Sequence, residues 1–512
     1  MISTLLPLGG ASHAVPWNSE ASIREELFSA ERLEQHAESL AAAQPVAAGS
    51  TSGRLLAVRL KENESVLLRA YRAIAGAVGE GKAITPAAEW LLDNYHLVEE
   101  QIREIRDDLP PGYYRELPKL AGGPLAGYPR VFGIAWAFVA HTDSRFDPEM
   151  LRRFVRAYQR VQPLTIGELW AVAITLRVAL VENLRRAAMR ILVSRAAREE
   201  ADTLADRLLG VNGRRAEAVA VVLRGREEAP LNGSFAVQLV QRLRDQDPKV
   251  TPALRWLEER LAAQGVSADE IVYDEHQRQG ATNVTVRNII TSMRLISDVD
   301  WPQLVESVSL IDDTLRPASR FAEMDFPTRN LYRSAIEELA RGSNLTELEV
   351  TQAALAAAGP GPEKDPGYHL IAGGRRAFEA KVGFRAPLRS WPSRFNAAIG
   401  LGGYIGAVVT VAAVVLALPI LLLNEQQINF VWLAVLAALG LIPSIDAAMA
   451  LVNRAVTREV GATILPGLAL RDGVPAHLRT LVAVPTLLTT QEGLEADGAR
   501  DRPRDTGGNA GM

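Results

Sequence analysis

The chain has 512 residues, 48% of them hydrophobic and 23% charged, enough apolar material for two or three domains and too much for an intrinsically disordered protein. Lysine and arginine (56) nearly balance aspartate and glutamate (60), so the net charge of −4 excludes a global attraction to nucleic acid or anionic lipid. With no cysteine, disulfides, thiolate metal sites, iron–sulfur clusters and cysteine nucleophiles are excluded too, which fits a reducing compartment.

Residues 1–21 are expected to be a disordered N-terminus. Leu5, Leu6 and Leu8 form a short apolar patch, but no lysine or arginine precedes Arg24, so no cleaved signal peptide is expected. Residues 22–382 predict an all-helical domain, divisible into two subdomains near 190–265. Ala, Leu, Glu and Arg dominate it, and strand-like alternation is scarce. One helix is predicted to start at Thr85 as N-cap with Pro86 in its first turn, to align Leu91, Tyr95, Val98, Ile102 and Ile105 on one stripe, and to end at Pro110. Asp147 and Pro148 open another. Capping boxes open three more, at Thr165 with Glu168, Ser267 with Glu270, and Thr346 with Glu349. Ile166 to Val181 is nearly apolar enough for a membrane span, but Glu168 and Arg177 interrupt it, and a buried helix of a soluble bundle is expected.

The Pro/Gly cluster from Pro110 to Pro129 predicts a long connection, and Gly359 to Gly367 another. After a basic juxtamembrane segment, 383–396, the chain changes solvent. No charge occurs from Phe395 to Asn424, nor from Gln426 to Ile445, and a spanning helix needs about 20 apolar residues. Transmembrane helices are predicted over 397–423 and 428–450, with Phe430 and Trp432 as interfacial aromatics. The connection at Asn424 to Gln427 is so short that the two helices must form a hairpin. Arg375, Arg376, Lys381, Arg385, Arg389 and Arg394 precede the pair, Arg454 and Arg458 follow it, and the turn has no basic residue. The positive-inside rule then predicts a multi-pass inner-membrane protein with both termini, and the helical domain, in the cytoplasm. Asp446, eight residues before Arg454, is expected at the cytoplasmic headgroup level. Residues 451–490 predict a linker and the first strand, Leu481 to Val484, of an incomplete α/β stub; 491–512 predict a disordered tail. The fold class is thus mainly α, with the hairpin, the stub and the tail following the helical domain.

No site chemistry is expected from these residues: no catalytic, cofactor-binding or metal-binding position is assigned. A nucleotide-sugar transferase needs an acidic pair at a strand end to hold a divalent cation. The pairs Asp245 with Asp247 and Asp298 with Asp300 occur in helical sequence and predict helix ends or loops. Glu89, Asp93, His96 and Glu100 share a helix face, but no second acid-x-x-His helix exists to complete a metal-carboxylate bundle, and a solvated face is expected. Tyr113, Tyr114, Tyr128 and Arg130 could stack on a sugar; burial is the commoner fate of such residues. Asn283 heads a glycosylation sequon that cytoplasmic placement would leave inert.

The segment from Ile84 to Ala187, with TPAAEWLLDNYHLVEEQIREIRDDLPPGYYRELPKL and GPLAGYPRVFGIAWAFVAHTDSRFD, resembles the front section of cyclic β-1,2-glucan synthases. So do DEHQRQGATNVTVRNIITSMRLISDVDW from Asp274, MDFPTRNLYRSAIEELA from Met324, GRRAFEAKVGFR from Gly374, and RDGVPAHLRTLVAVPTLLTT ahead of the tail. The resemblance implies a large inner-membrane enzyme that builds its glucan from UDP-glucose with a divalent cation and trims it with a phosphorylase-like domain. It also implies that this chain stops as the transferase domain begins, so that no family catalytic residue falls on it. Its expected partners are the lipid bilayer and the missing transferase and phosphorylase-like regions, supplied separately, and no nucleic acid. The alternative expectation is a standalone helical membrane protein that binds a partner or regulates glucan synthesis; a weaker one is a helical metal-carboxylate protein.

Overall fold

The computed structural model describes residues 21–47, 56–210, 217–223, 231–244, 251–359, 365–387, 391–424, 429–460, 465–470 and 473. Among them helices dominate and no strand occurs, only three isolated antiparallel bridges. The expected strand at Leu481 to Val484 lies outside the described residues. Two compact units are distinguished, one comprising Met1–Ser319 and Tyr332–Trp391, the other Arg320–Leu331 and Pro392–Met512.

The first unit begins with α1 (Ala30–Ala43) and α2 (Leu56–Gly79). The predicted helix from Thr85 appears as two, α3 (Pro86–Asp93) and α4 (Tyr95–Asp108). Thr85 is the N-cap, accepting from the Ala88 N–H, and Leu91, Tyr95, Val98, Ile102 and Ile105 are all buried. The break falls at Asn94, whose Nδ2 donates to the Trp90 carbonyl at 2.9 Å while its Oδ1 accepts from Arg294 at 2.9 Å. A side chain that competes with the backbone for a helix carbonyl ends the helix locally.

Helices α5 (Pro111–Glu116), α6 (Arg130–His141) and α7 (Pro148–Val161) lead to α8 (Ile166–Leu209), a 44-residue helix and the axis of the unit. From Ile166 to Ala188 nearly every residue of α8 is buried, because α2, α3, α4, α6 and α12 pack around it. Apolar on all sides, that half has no stable place except the middle of a core. The charges that interrupt it are satisfied, the first two of them by other helices of the bundle: Glu168 pairs with Arg130, and Arg177 reaches Gln101 at 3.0 Å and Glu104 at 2.9 Å. Ile166 to Val181 is therefore the core helix of a bundle, as its charges indicated. The Thr165–Glu168 capping box opens α8, and Gly210, at φ 68°, closes it in the left-handed conformation that glycine adopts without strain.

Beyond Ala188 the same helix carries a second core, built with α9 (Val219–Val222), α10 (Gly233–Leu243), α11 (Thr251–Ala263) and the start of α12 (Ala268–Asp298). Then come α13 (Trp301–Val308), α14 (Leu310–Leu315), α15 (Phe326–Gly342), α16 (Glu347–Ala357), α17 (Gly367–Ile371) and α18 (Arg375–Lys381). Asp147, Ser267 and Thr346 cap α7, α12 and α16 as their sequences predict.

In the second unit, residues 465–470 run beside the start of α15. Asp325 N–H donates to the Gly467 carbonyl at 3.1 Å and Ala469 N–H to Glu323 at 2.9 Å. A Cβ on Gly467 would stand 2.7 Å from the Asp325 carboxylate, so only glycine allows this approach. Two long helices complete the unit, α19 (Trp391–Asn424) and α20 (Phe430–Val460), overrunning the predicted spans at their basic ends. They run antiparallel, joined by a 2.8 Å hydrogen bond from Tyr404 Oη to Asn453 Oδ1 and by the seating of Leu416 against Gly440. Their apolar segments, Leu401–Leu423 and Phe430–Arg458, are only 6% and 17% buried, and each is long enough to cross a membrane.

One core position departs from its neighbours. Asn63 sits on the apolar stripe of α2 between Leu60 and Leu67, fully buried, and neither side-chain atom makes a hydrogen bond. A buried amide without partners costs about 1–3 kcal/mol. Asn63→Leu, which keeps the branched shape, is expected to stabilise the chain by about that amount, read as a higher denaturation midpoint in detergent solution.

Candidate functional site

The residues that the sequence singled out do not assemble into a catalytic site. Asp298 ends α12 and Asp300 caps α13 by accepting from the Gln303 N–H at 2.9 Å, so this pair marks two helix ends; Asp245 and Asp247 lie outside the described residues. Glu89, Asp93, His96 and Glu100 are all exposed, a solvated face, and no group of three or more metal-ligating side chains occurs among the described residues. Tyr114 and Tyr128 are buried, and Tyr113 donates to the Gly167 carbonyl at 2.5 Å. Arg130 donates through Nε to Glu168 at 2.8 Å and through Nη1 to Gln162 at 2.8 Å. These aromatics are core, unavailable to a sugar. Asn283 lies on α12.

What the first unit does offer is a cleft of about 1130 Å³ beside the outer half of α8. The loop at Lys82 to Thr85, the N-termini of α3 and α10, and the middle of α12 complete its walls. Arginines and carboxylates alternate on it: Arg195 pairs with Glu199 at 2.9 Å, and Arg198 lies 4.0 Å from Glu275. Glu275 also accepts from Ser234 at 2.5 Å and from Gln279 at 2.9 Å. Arg190 differs from the others in having no carboxylate partner. Its guanidinium bonds the Ser22 hydroxyl, its Nε is unpaired, and burial together with Arg186 and Arg24 pushes its pKa down. Donors and acceptors in that mixture suit a hydroxylated, polar ligand, and no side chain there is set up as a nucleophile. The alternating charges along α8 were readable in the sequence; the cleft was not, because helices distant in the chain enclose it.

The inner half of α8 is fixed by buried charge. Glu182, wholly buried, receives Arg59 at 3.0 Å, Arg186 at 2.8 Å and Arg185 at 3.2 Å. Burial alone would raise its pKa, but the three guanidiniums outweigh that and hold it below the ordinary carboxylate range. Next to it Asn183 ties down the entering chain: its Oδ1 accepts from the Ile23 N–H at 2.8 Å and its Nδ2 donates to the Ile23 carbonyl at 3.2 Å. At the start of α8, Glu347 accepts from the Ile166 N–H at 2.8 Å. Burial, reinforced by Glu337 and Glu168, pushes the Glu347 carboxyl up to about 7.

The second unit adds one carboxylate within an apolar segment, Asp446 on α20, eight residues before the arginines Arg454 and Arg458 begin. The Tyr404–Asn453 and Leu416–Gly440 contacts set it opposite Val411, one residue from the middle of Leu401–Leu423. A carboxylate at the centre of a spanning helix costs about 3 kcal/mol.

No family model matches the chain. Over 444 residues, 85% of its length, it is 37% identical to the cyclic beta-(1,2)-glucan synthase NdvB of Rhizobium meliloti (strain 1021). The chain spans 16% of that protein's length.

Two measurements check the electrostatics. Glu182→Gln leaves the surrounding arginines without their counter-charge and is expected to cost about 3–5 kcal/mol of stability, seen as a lower denaturation midpoint. For Glu347 the folded pKa lies above the unfolded one, so the folded chain holds the extra proton between about pH 4.5 and 7, and stability falls as pH rises through that window. Glu347→Gln is expected to remove that part of the slope. In melts across pH it should exceed the parent by on the order of 2 kcal/mol near pH 8 and match it near pH 4.

Proposed function

The chain is a relative of a cyclic β-(1,2)-glucan synthase, and from that kinship we propose that it supplies the helical, membrane-anchoring part of such an enzyme. In this reading α19 and α20 cross the inner membrane as a hairpin, with both ends and the helical body in the cytoplasm. In the same reading glucosyl transfer from UDP-glucose, with its divalent cation, belongs to a transferase region outside residues 1–512. The trimming belongs to a phosphorylase-like region, likewise outside them. The chain alone then transfers no glucose; its partners are the bilayer and those regions.

The observation that carries the reading is the exposure of two apolar helices, combined with charge. Leu401–Leu423 and Phe430–Arg458 present nearly their whole surfaces outward, which a water-soluble protein does not tolerate over such lengths. Basic residues stand at Arg394 before the first and at Arg454 and Arg458 in the closing turns of the second, with none between Arg394 and Arg454. That asymmetry supports the cytoplasmic placement of both ends. The cleft beside α8 favours a second reading, in which the helical body binds a ligand or partner and regulates glucan synthesis.

Expressed alone, the chain is expected to sediment with inner membranes, to resist alkaline extraction and to dissolve in detergent. A reporter fused after Val460 should be active only in its cytoplasmic form. Purified protein supplied with labelled UDP-glucose and magnesium should yield no labelled glucan. A freely soluble chain, a periplasmic reporter or measurable incorporation would each overturn the proposal.

A further inference from the structure

Helix α20 has two faces. Leu433, Ser444, Ala448 and Val452 are buried. Val435, Leu439, Ile442, Asp446 and Met449 follow one another at steps of four and three along the other side, and all are exposed. That spacing is the seam by which one helix packs on another, and Asp446 is its one polar position, between Ile442 and Met449. Asp446 forms no ion pair among the described residues, and Arg454 lies two turns away. A second acceptor shares the seam: Pro443, inside the helix, supplies no N–H, so the Leu439 carbonyl one heptad before Asp446 lacks its in-helix donor. In hydrocarbon neither acceptor finds water.

We propose that this face of α20 docks a transmembrane helix of another polypeptide, one that brings a lysine or arginine to the depth of Asp446. The inference rests on the membrane reading of α19 and α20. Charge complementarity chooses the occupant. A second copy of the same face would bring carboxylate to carboxylate, whereas a cation neutralises Asp446 and can also donate toward the Leu439 carbonyl. Val435, Leu439, Ile442 and Met449 supply the apolar contact on either side, and the single polar position fixes the register.

The absence of cysteine makes the test direct. Full-length Met449→Cys, on the seam, and Ala447→Cys, exposed on a different face, are placed in lipid vesicles with synthetic leucine–alanine transmembrane peptides. One peptide carries a central lysine beside a cysteine; its control has leucine in place of the lysine. The lysine peptide is expected to form a disulfide with Met449→Cys at least tenfold faster than the control, and Ala447→Cys should show no preference. Adding Asp446→Leu should reduce the rate to that of the control without changing the chain's sedimentation with vesicles. Equal rates for the two peptides overturn the proposal, as does a Met449→Cys disulfide dimer that excludes peptide. A chain that fails to sediment with vesicles overturns the membrane reading itself, which separates the two failures.

Discussion

Two helices that bury so little of themselves against protein set the terms for the rest of the chain. Aliphatic surface exposed from Leu401 to Leu423 and again from Phe430 onward has no favourable state in water. Every other assignment follows from giving that surface an apolar solvent: which ends carry arginine, where a carboxylate becomes expensive, and why a proline inside α20 matters. In water Asp446 would be an unremarkable exposed acid. In the hydrocarbon that the proposed reading supplies, a carboxylate opposite Val411 is costly.

The first unit solves the opposite problem. Its central helix is buried on all sides for half its length under other helices, whereas α19 and α20 leave most of their apolar surface uncovered. The difference between the two cases lies in a few polar side chains. Glu168, Arg177, Glu182 and Arg186 on α8 all find partners of opposite charge within the bundle. Partners of that kind identify a protein core, because ionised groups leave water only when paired. Among the described residues the helices of the hairpin show no such pairs.

Local signals in the sequence were read correctly where the physics is local. The caps at Thr85, Asp147, Thr165, Ser267 and Thr346 each depend on residues three or fewer positions apart, and all five form. The break at Asn94 was missed because the stripe from Leu91 to Ile105 continues across it; what ends the helix is a side chain gripped by Arg294, two hundred residues along the chain. The placing of Asp446 opposite Val411 was illegible for a similar reason, since it depends on pairing Tyr404 with Asn453. The cleft was illegible outright, since α3, α8, α10 and α12 meet there from four separate stretches. The kinship with a glucan synthase, by contrast, was legible in contiguous words such as DEHQRQGATNVTVRNIITSMRLISDVDW.

Helix α8 passes through both hydrophobic cores of the first unit without interruption. At 1.5 Å per residue its 44 residues make a rod about 66 Å long. That rod is clamped by charge along its inner half, while along its outer half one face packs in the second core and the other, with Arg195 and Arg198, lines the cleft. The two cores are therefore joined by continuous helix rather than by a loop, so a load on the cleft face is carried through backbone hydrogen bonds to the charged clamp.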